Sequence, residues 1–169
     1  MRYLLPLFLL LFLFFSGCGY KPSSKYSRTV VGEKISTNVV ISAQDPENTV
    51  LIKDAVDRAI VETFRAALVD KRYADTDLSF SISEPKYTPI QYNADGFVIA
   101  YRATITLHIT RVTQDVRKNY NAVGTYDFAI APNAVITDQD RFDAIKYSTQ
   151  KAIAAFIAQV SAEGSRVGK

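Results

Sequence analysis

A single histidine, a single cysteine and no tryptophan leave this chain few routes to covalent chemistry. His108 would have to serve as the base of any Ser-His-Asp arrangement, yet it stands in a row of threonines with no nucleophile motif beside it. One Cys with one His falls short of the four ligands of an ordinary zinc cage, and a lone Cys forms no intramolecular disulfide. The patterns G-x-x-x-x-G-K-[ST], H-E-x-x-H, C-x-x-C and G-x-S-x-G do not occur. Asp138, Asp140 and Asp143 bunch where a helix is predicted to start, and carboxylates there stabilise the positive end of the helix dipole. The alternative, an acidic pair for hydrolysis, has no supporting partner residue. The expectation is a protein that is not an enzyme, with no catalytic residue, no cofactor and no metal.

What remains is charge and surface. Lys+Arg is 20 against 17 Asp+Glu, a net +3 that is too weak for a nucleic-acid binder. Basic residues nevertheless gather on one stretch: Lys86, then Arg102, Arg111, Arg117 and Lys118 around a central hairpin. Two readings are open. They solubilise the fold, or they contact an anion such as a phosphorylated glycolipid or an acidic protein surface.

The lone Cys has its own explanation. Arg2 opens the chain with positive charge, and Tyr3–Phe15 is apolar with Pro6 inside it. The run is shorter than the roughly 20 residues a spanning helix needs, so it reads as a signal peptide. Its exit, Phe15-Ser16-Gly17-Cys18, resembles the bacterial lipobox, with Phe15 where Leu is usual. That resemblance implies cleavage before Cys18, a thioether to diacylglycerol and an acylated amino group. The acyl chains together make a stable anchor. Gly19 rather than Asp after the cysteine implies, by the same resemblance, sorting to the outer membrane. Gly19–Lys34 is Ser-, Lys- and Gly-rich and reads as a tether. Its basic residues either lie against anionic headgroups or are simply solvated.

The elements that position the surface residues follow from periodicity. Ile35–Ser42 alternates as a strand, and a helix runs from Asn48 or Thr49 to about Val69 with Val56, Ile60 and Phe64 on its apolar stripe. Leu78–Ser83 alternates strictly. Glu84–Gly96, with Pro85 and Pro89, reads as an irregular stretch pairing in part through Tyr87–Tyr92. Phe97–Thr110 is the clearest strand: odd positions are apolar, and the even row Arg102, Thr104, Thr106, His108 and Thr110 is polar. Thr113-Gln114-Asp115 turns the chain into a strand over Val116–Ile130, where Gly124 suggests a bulge or twist. A last helix starts at Asp138, runs to about Ala162, and is ended by Gly164. Tyr101, Tyr120 and Tyr126 read as core, whereas Tyr20, Tyr26, Tyr87 and Tyr92 fall in tether or loop and are candidates to meet lipid headgroups or a partner.

The order β-α-β-β-β-α predicts a two-layer α+β sandwich, a four-stranded mainly antiparallel sheet with two helices on one face. The opposite face is polar, so it is either wet or a docking surface. The predicted organisation is a signal peptide (1–17), a lipidated tether (18–34), one α+β domain (35–163) and a flexible tail (164–169).

Ser16-Gly17-Cys18-Gly19-Tyr20, the short tether, Val50-Leu51-Ile52-Lys53-Asp54-Ala55, Tyr101-Arg102-Ala103-Thr104 and Gly124-Thr125-Tyr126-Asp127-Phe128 together resemble short, divergent members of the LptE family of lipopolysaccharide-assembly lipoproteins. The resemblance implies an outer-membrane lipoprotein that plugs the LptD β-barrel, assists its assembly and helps deliver lipopolysaccharide to the cell surface. It implies LptD, lipopolysaccharide and the membrane as partners, and no nucleic acid. It carries over no lipopolysaccharide-contact residue. Thr104, Thr106, His108, Thr110 and Asn121 are then the expected partner-facing residues. The alternative is a lipoprotein auxiliary of an ABC-type envelope transport system, or a structural envelope lipoprotein.

Overall fold

A computed structural model describes residues 30–40, 46–114 and 116–167. Among the described residues six strands and two α-helices succeed one another. They are β1 (Lys34–Val39), α1 (Pro46–Ala59), β2 (Ala67–Leu68), β3 (Thr76–Ile82), β4 (Lys86–Tyr92), β5 (Val98–Thr113), β6 (Val116–Ala129) and α2 (Asp138–Val167).

The long alternating stretch becomes β5, and the sheet is organised around it. β6 pairs antiparallel with one edge of β5 along its whole length, from Thr113 opposite Val116 to Ala100 opposite Ala129. The other edge is shared. β3 pairs with the second half of β5, Ile82 lying opposite Leu107, and β4 pairs with the first half, Lys86 lying opposite Thr104. β3 and β4 are thus one interrupted lane, broken at Ser83-Glu84-Pro85. Beyond β3 lies β1, parallel to it, and then the short β2, parallel to β1.

This corrects the four-stranded expectation in two places. Glu84–Gly96 holds a true strand, β4, at the sheet margin. Pro89 is tolerated there because an edge strand can spare a backbone N–H, and the register shifts just after it. The Asn93–Gly96 turn that follows is the one the sequence suggested. Gly96 takes a φ of +84°, and the Asn93 side chain accepts hydrogen bonds from the Asp95 and Phe97 N–H groups. The predicted first helix also stops early. It widens into a π turn over Ile60–Phe64 and ends at Arg65, which sits in the left-handed region, so Ala67-Leu68 extends as β2 instead.

Both helices cover one face, as expected. Ile35, Leu78, Phe80, Ile105, Leu107 and Ile109 from the sheet meet Val56, Ile60 and Phe64 from the α1 region and Ile153, Phe156 and Val160 from α2. Phe156 is the hub. The rings of Phe64, Phe80 and Tyr120 meet it edge to face at 76–86° and 5.4–6.3 Å, the geometry aromatic quadrupoles prefer.

Gly124 is not a bulge. The β5–β6 register runs through it unbroken, opposite Ile105. The glycine is needed because α2 crosses there. A Cβ on residue 124 would lie 1.8 Å from the Ser148 carbonyl oxygen and 2.5 Å from the Ala152 nitrogen. Nor does Gly164 end α2. It is buried inside a helix that continues to Val167, so the segment expected to be a tail begins within the helix.

The crossing yields a prediction. Gly124→Ala forces backbone against backbone, which no rotamer relieves, and should destabilise the fold by at least about 3 kcal/mol. Chemical denaturation measures it, and an unchanged midpoint would contradict the contact.

Candidate functional site

Three surfaces concentrate the chemistry that the fold brings together. The first is the sheet face away from the helices. Period-two alternation sends the even residues of β5 there, and the antiparallel register lays the odd residues of β6 beside them. The pairs bond to each other across the strands. His108 Nδ1 and Asn121 Oδ1 are 2.8 Å apart, the Thr110 hydroxyl donates to Asn119 Oδ1 at 3.1 Å, and Arg102 forms a two-pronged ion pair with Asp127 at 2.7 Å on both arms. The guanidinium of Arg102 holds the Asp127 carboxyl below the usual carboxylate range. Thr104 and Thr106 continue the row at half exposure, Val123 is an exposed apolar residue in its middle, opposite Thr106, and Val112 lies at its turn end. The expected partner-facing set, Thr104, Thr106, His108, Thr110 and Asn121, therefore lies on one continuous polar face.

The second surface is a charged clamp at the β5–β6 turn end. Glu163, near the end of α2, accepts from Arg111 Nη2 at 3.2 Å, from Lys118 Nζ at 2.8 Å and from the Tyr120 hydroxyl at 2.6 Å. The Arg111 side chain is only 8% exposed, and its Nε and Nη1 have no hydrogen-bond partner. Burial pushes the Glu163 carboxyl up. The hydrogen bonds from Lys118 and Tyr120 and the nearby charges outweigh it, leaving the carboxyl below its ordinary range. Burial and the bond to Glu163 push the Tyr120 phenol well above its ordinary value.

The five basic residues are thus divided rather than gathered. Lys86 and Arg117 are exposed, facing away from the helices, and Arg102 shares that face but is neutralised by Asp127. Arg111 and Lys118 turn to the helix side and share Glu163. As a freely exposed anion contact Arg111 is corrected by its burial. The signal was present in the sequence, because Arg111 continues the odd, apolar row of β5.

The third surface was missed as a unit. At the other end of the sheet, on the helix side, Tyr87 (β4), Tyr101 (β5), Tyr126 and Phe128 (β6) and Tyr147 (α2) adjoin one another at ring separations of 4.8–6.4 Å. Ala103 lies between Tyr87 and Tyr126 in the register and leaves room for both rings. The residues expected in the core, Tyr101 and Tyr126, are only half-buried there, whereas Tyr120 is buried. Three α2 cations cap the rings at 5.4–5.9 Å: Arg141 over Tyr87, Lys146 over Tyr147 and Lys151 over Tyr126. Such contacts at exposed sites stabilise by about 0.5–1 kcal/mol each.

Residues 1–29, with Cys18, the expected signal peptide and most of the expected tether, lie outside the described residues. Among the described residues no group of three His, Cys, Asp or Glu side chains forms a metal site, and no helix is long and apolar enough to cross a membrane.

The fold is shared with solved lipoproteins. Rare lipoprotein B from Shewanella oneidensis superposes with a TM-score of 0.54 at 13% identity, covering 80% of this chain and 99% of that one. A minor lipoprotein from Acinetobacter baumannii gives 0.53 at 10% identity over 79% and 94% of the two chains. Lipoprotein B from Nitrosomonas europaea gives 0.50 at 13% identity over 79% and 84%. No curated protein matches by sequence. The family model LptE, described as lipopolysaccharide-assembly, matches residues 36–160. The chain belongs to the LptE family.

That match runs from β1 through most of α2. It takes in the polar face and the aromatic end, and it stops short of Glu163 and of the N-terminal Cys18. The LptE assignment therefore rests on the domain, and it takes in Arg111, Lys118 and Tyr120 of the clamp but not Glu163.

Because the Glu163 carboxyl is depressed in the fold, its contribution is present above the unfolded carboxylate range. It is lost as pH falls through the lower folded value. Glu163→Ala leaves Arg111 buried without its counter-charge and should cost about 3 kcal/mol near neutral pH. Glu163→Gln should flatten the decline in stability on acidification below about pH 4.3, the ordinary range for Glu. Denaturant titrations at stepped pH values check both, and parallel curves for wild type and Gln would refute the clamp.

Proposed function

We propose that this protein is an outer-membrane lipoprotein of the lipopolysaccharide transport and assembly translocon. It acts as plug and assembly partner of the LptD β-barrel, assists delivery of lipopolysaccharide to the cell surface, and is anchored through acylated Cys18. The LptE family assignment and the lipoprotein relatives support the envelope role. The observation that carries the plug reading is the polar sheet face. Its side chains pair with one another, so the face is stable in water and also presents a flat hydrogen-bonding surface. The interior of a transmembrane barrel is polar, and a greasy plug would not suit it. An edge of exposed apolar side chains would be expected of a domain that docks on lipid-like surfaces instead.

In this reading Thr104, Thr106, His108, Thr110 and Asn121 face the barrel wall, and Lys86 and Arg117 stand at the ends of that face as exposed cations. Arg102 contributes as half of its pair with Asp127. Arg111 and Lys118 brace α2 and touch neither barrel nor glycolipid directly.

A photo-crosslinker at Thr106 or Asn121 should trap the barrel strongly, and one at Lys146, on α2, weakly. Strong trapping from Lys146 alone would mean that the domain faces the other way. Cys18→Ala should accumulate as an unprocessed precursor without acyl chains, read by intact-mass spectrometry. A free thiol on mature Cys18 in the wild type would remove the anchor from the proposal.

A further inference from the structure

The sheet has three margins among the described residues, and two of them are blunted. β2 is only two residues long, and β4 carries Pro89 with register shifts on either side of Gln91. Short strands, prolines and irregularities are the devices by which natural sheets keep other chains from pairing with an edge. β6 is the third margin and has none of them. It runs 14 residues, about 46 Å at roughly 3.3 Å per residue, and its register on β5 is unbroken. From Asn119 to Ala129 it contains no proline and no lysine, and its one charged residue, Asp127, is tied to Arg102.

Two hydrogen bonds give the direction of its backbone groups. The Ile130 N–H donates inward to the Ile99 carbonyl at 3.0 Å, whereas the Asn121 carbonyl accepts from Gln159 Nε2 of α2 at 2.9 Å. In an antiparallel pair both backbone groups of a residue point the same way, and successive residues alternate. The odd residues Asn119, Asn121, Val123, Thr125 and Asp127 therefore aim N–H and C=O away from β5. Among the described residues the Gln159 amide is the only partner this backbone row has. Gln159 also marks the flank of α2 that overhangs the edge. Ala155, Ala158 and Ala162 share that flank at spacings of three and four, and their methyl groups leave space beneath it for the side chains of an added strand.

An occupant must be extended, apolar on the side under the alanines and polar on the side of Asn119, Asn121 and Thr125. A transmembrane β-strand alternates in that way and needs roughly 9–11 residues, a length β6 exceeds. Its own edge is free only until the barrel closes. A second copy of this chain does not fit. Two β6 edges paired antiparallel would set two α2 helices on one face a single strand spacing of about 4.8 Å apart, where packed helices stand about 8–10 Å apart.

We infer that the β6 edge from Asn119 to Asp127 pairs, backbone to backbone, with a transmembrane strand of the barrel before the barrel closes. This rests on the plug reading above for the identity of the partner, and it gives the assembly role a surface of its own beside the polar face.

The test uses the full lipidated protein. Val123→Pro and Thr125→Pro each remove one outward N–H and no bond to β5, a loss that an edge strand tolerates. Pulse–chase labelling in cells that depend on each variant follows the barrel from its unfolded to its folded mobility on gels. Either proline should slow that step about fivefold or more, while Val123→Thr, which keeps the N–H, should stay within about twofold of wild type. Amide exchange on the wild type needs no variant. The Val123 and Thr125 amides should exchange freely in the protein alone and be protected about tenfold or more when the unfolded barrel chain is added in detergent. If the prolines lower the melting temperature sharply, the exchange experiment decides. Normal maturation with both folded proline variants, equal slowing by Val123→Thr, or no added protection of the two amides would overturn the inference. So would protection that rises with the concentration of the protein alone, which would assign the edge to a second copy. Failure of the wild type to co-purify with the mature barrel would strike at the plug reading alone, because protection of the edge amides by the unfolded chain is read without it.

Discussion

At Gly124 the strand and the helix touch backbone to backbone, with no side chain between them. The facing stripe on α2 is made of Ala144, Ser148 and Ala152, each fully buried. Spaced four apart, they lie on one side of the helix and let it descend onto β6. Bulk then rises in both directions from the contact. Toward the helix start the rings of Tyr126 and Tyr147 fill the widening gap, and toward its end Tyr120 and Phe156 do so. Dispersion is strong only at close range, so a helix held this near cannot slide without losing contacts along its length. The position of everything that α2 carries follows from that point, the ring-capping cations as much as Glu163.

The same helix explains why the domain has two unlike faces. With α1 and α2 both on the odd-numbered side of β5, the even-numbered side must be compatible with water. It achieves this through cross-strand pairing rather than through cover. Exposed ion pairs such as Arg102–Asp127 are screened by water and add little to the stability of a fold. The polar row is therefore not what holds the sheet together. The sheet is held from the other side, and the row is left free to carry recognition.

Much of this was legible because the strongest signals were periodic. β5 alternates over its full length, α2 carries Ile145, Ile153, Phe156 and Val160 on one stripe, and the Asn93–Gly96 turn has the residues such a turn needs. What escaped was set by partners rather than by local pattern. β2 is two residues long and forms only because β1 lies beside it. β4 contains Pro89 and alternates poorly, and the edge of β5 left open by β3 makes it a strand. Gly164 looks like a helix stop, yet it is itself buried and the helix runs on through it to Val167. Gly124 looks like a bulge because a sequence does not show that a helix crosses above it. The aromatic end was invisible as a unit, since Tyr87, Tyr101, Tyr126 and Tyr147 come from four different elements.

Arg111 shows how the ends of the domain are tied together. It extends the apolar row of β5 into the interior, where an aliphatic residue would leave no donor unsatisfied. Its two unpartnered nitrogens, Nε and Nη1, cost about 1–3 kcal/mol each. Replacing a buried ionic group by a well-packed apolar one is often neutral or stabilising, so the charge is a poor source of stability here. Its effect is geometric. Glu163 takes donors from three points of the hairpin, Arg111 on β5 and Lys118 and Tyr120 on β6, and that fixes the rotation of α2 about its axis at one end. The Gly124 crossing fixes the distance of the helix from the sheet near its middle. A rigid rod held by rotation at one point and by distance at another has its remaining end determined. That end is the first half of α2, where Arg141, Lys146 and Lys151 are carried over the tyrosines.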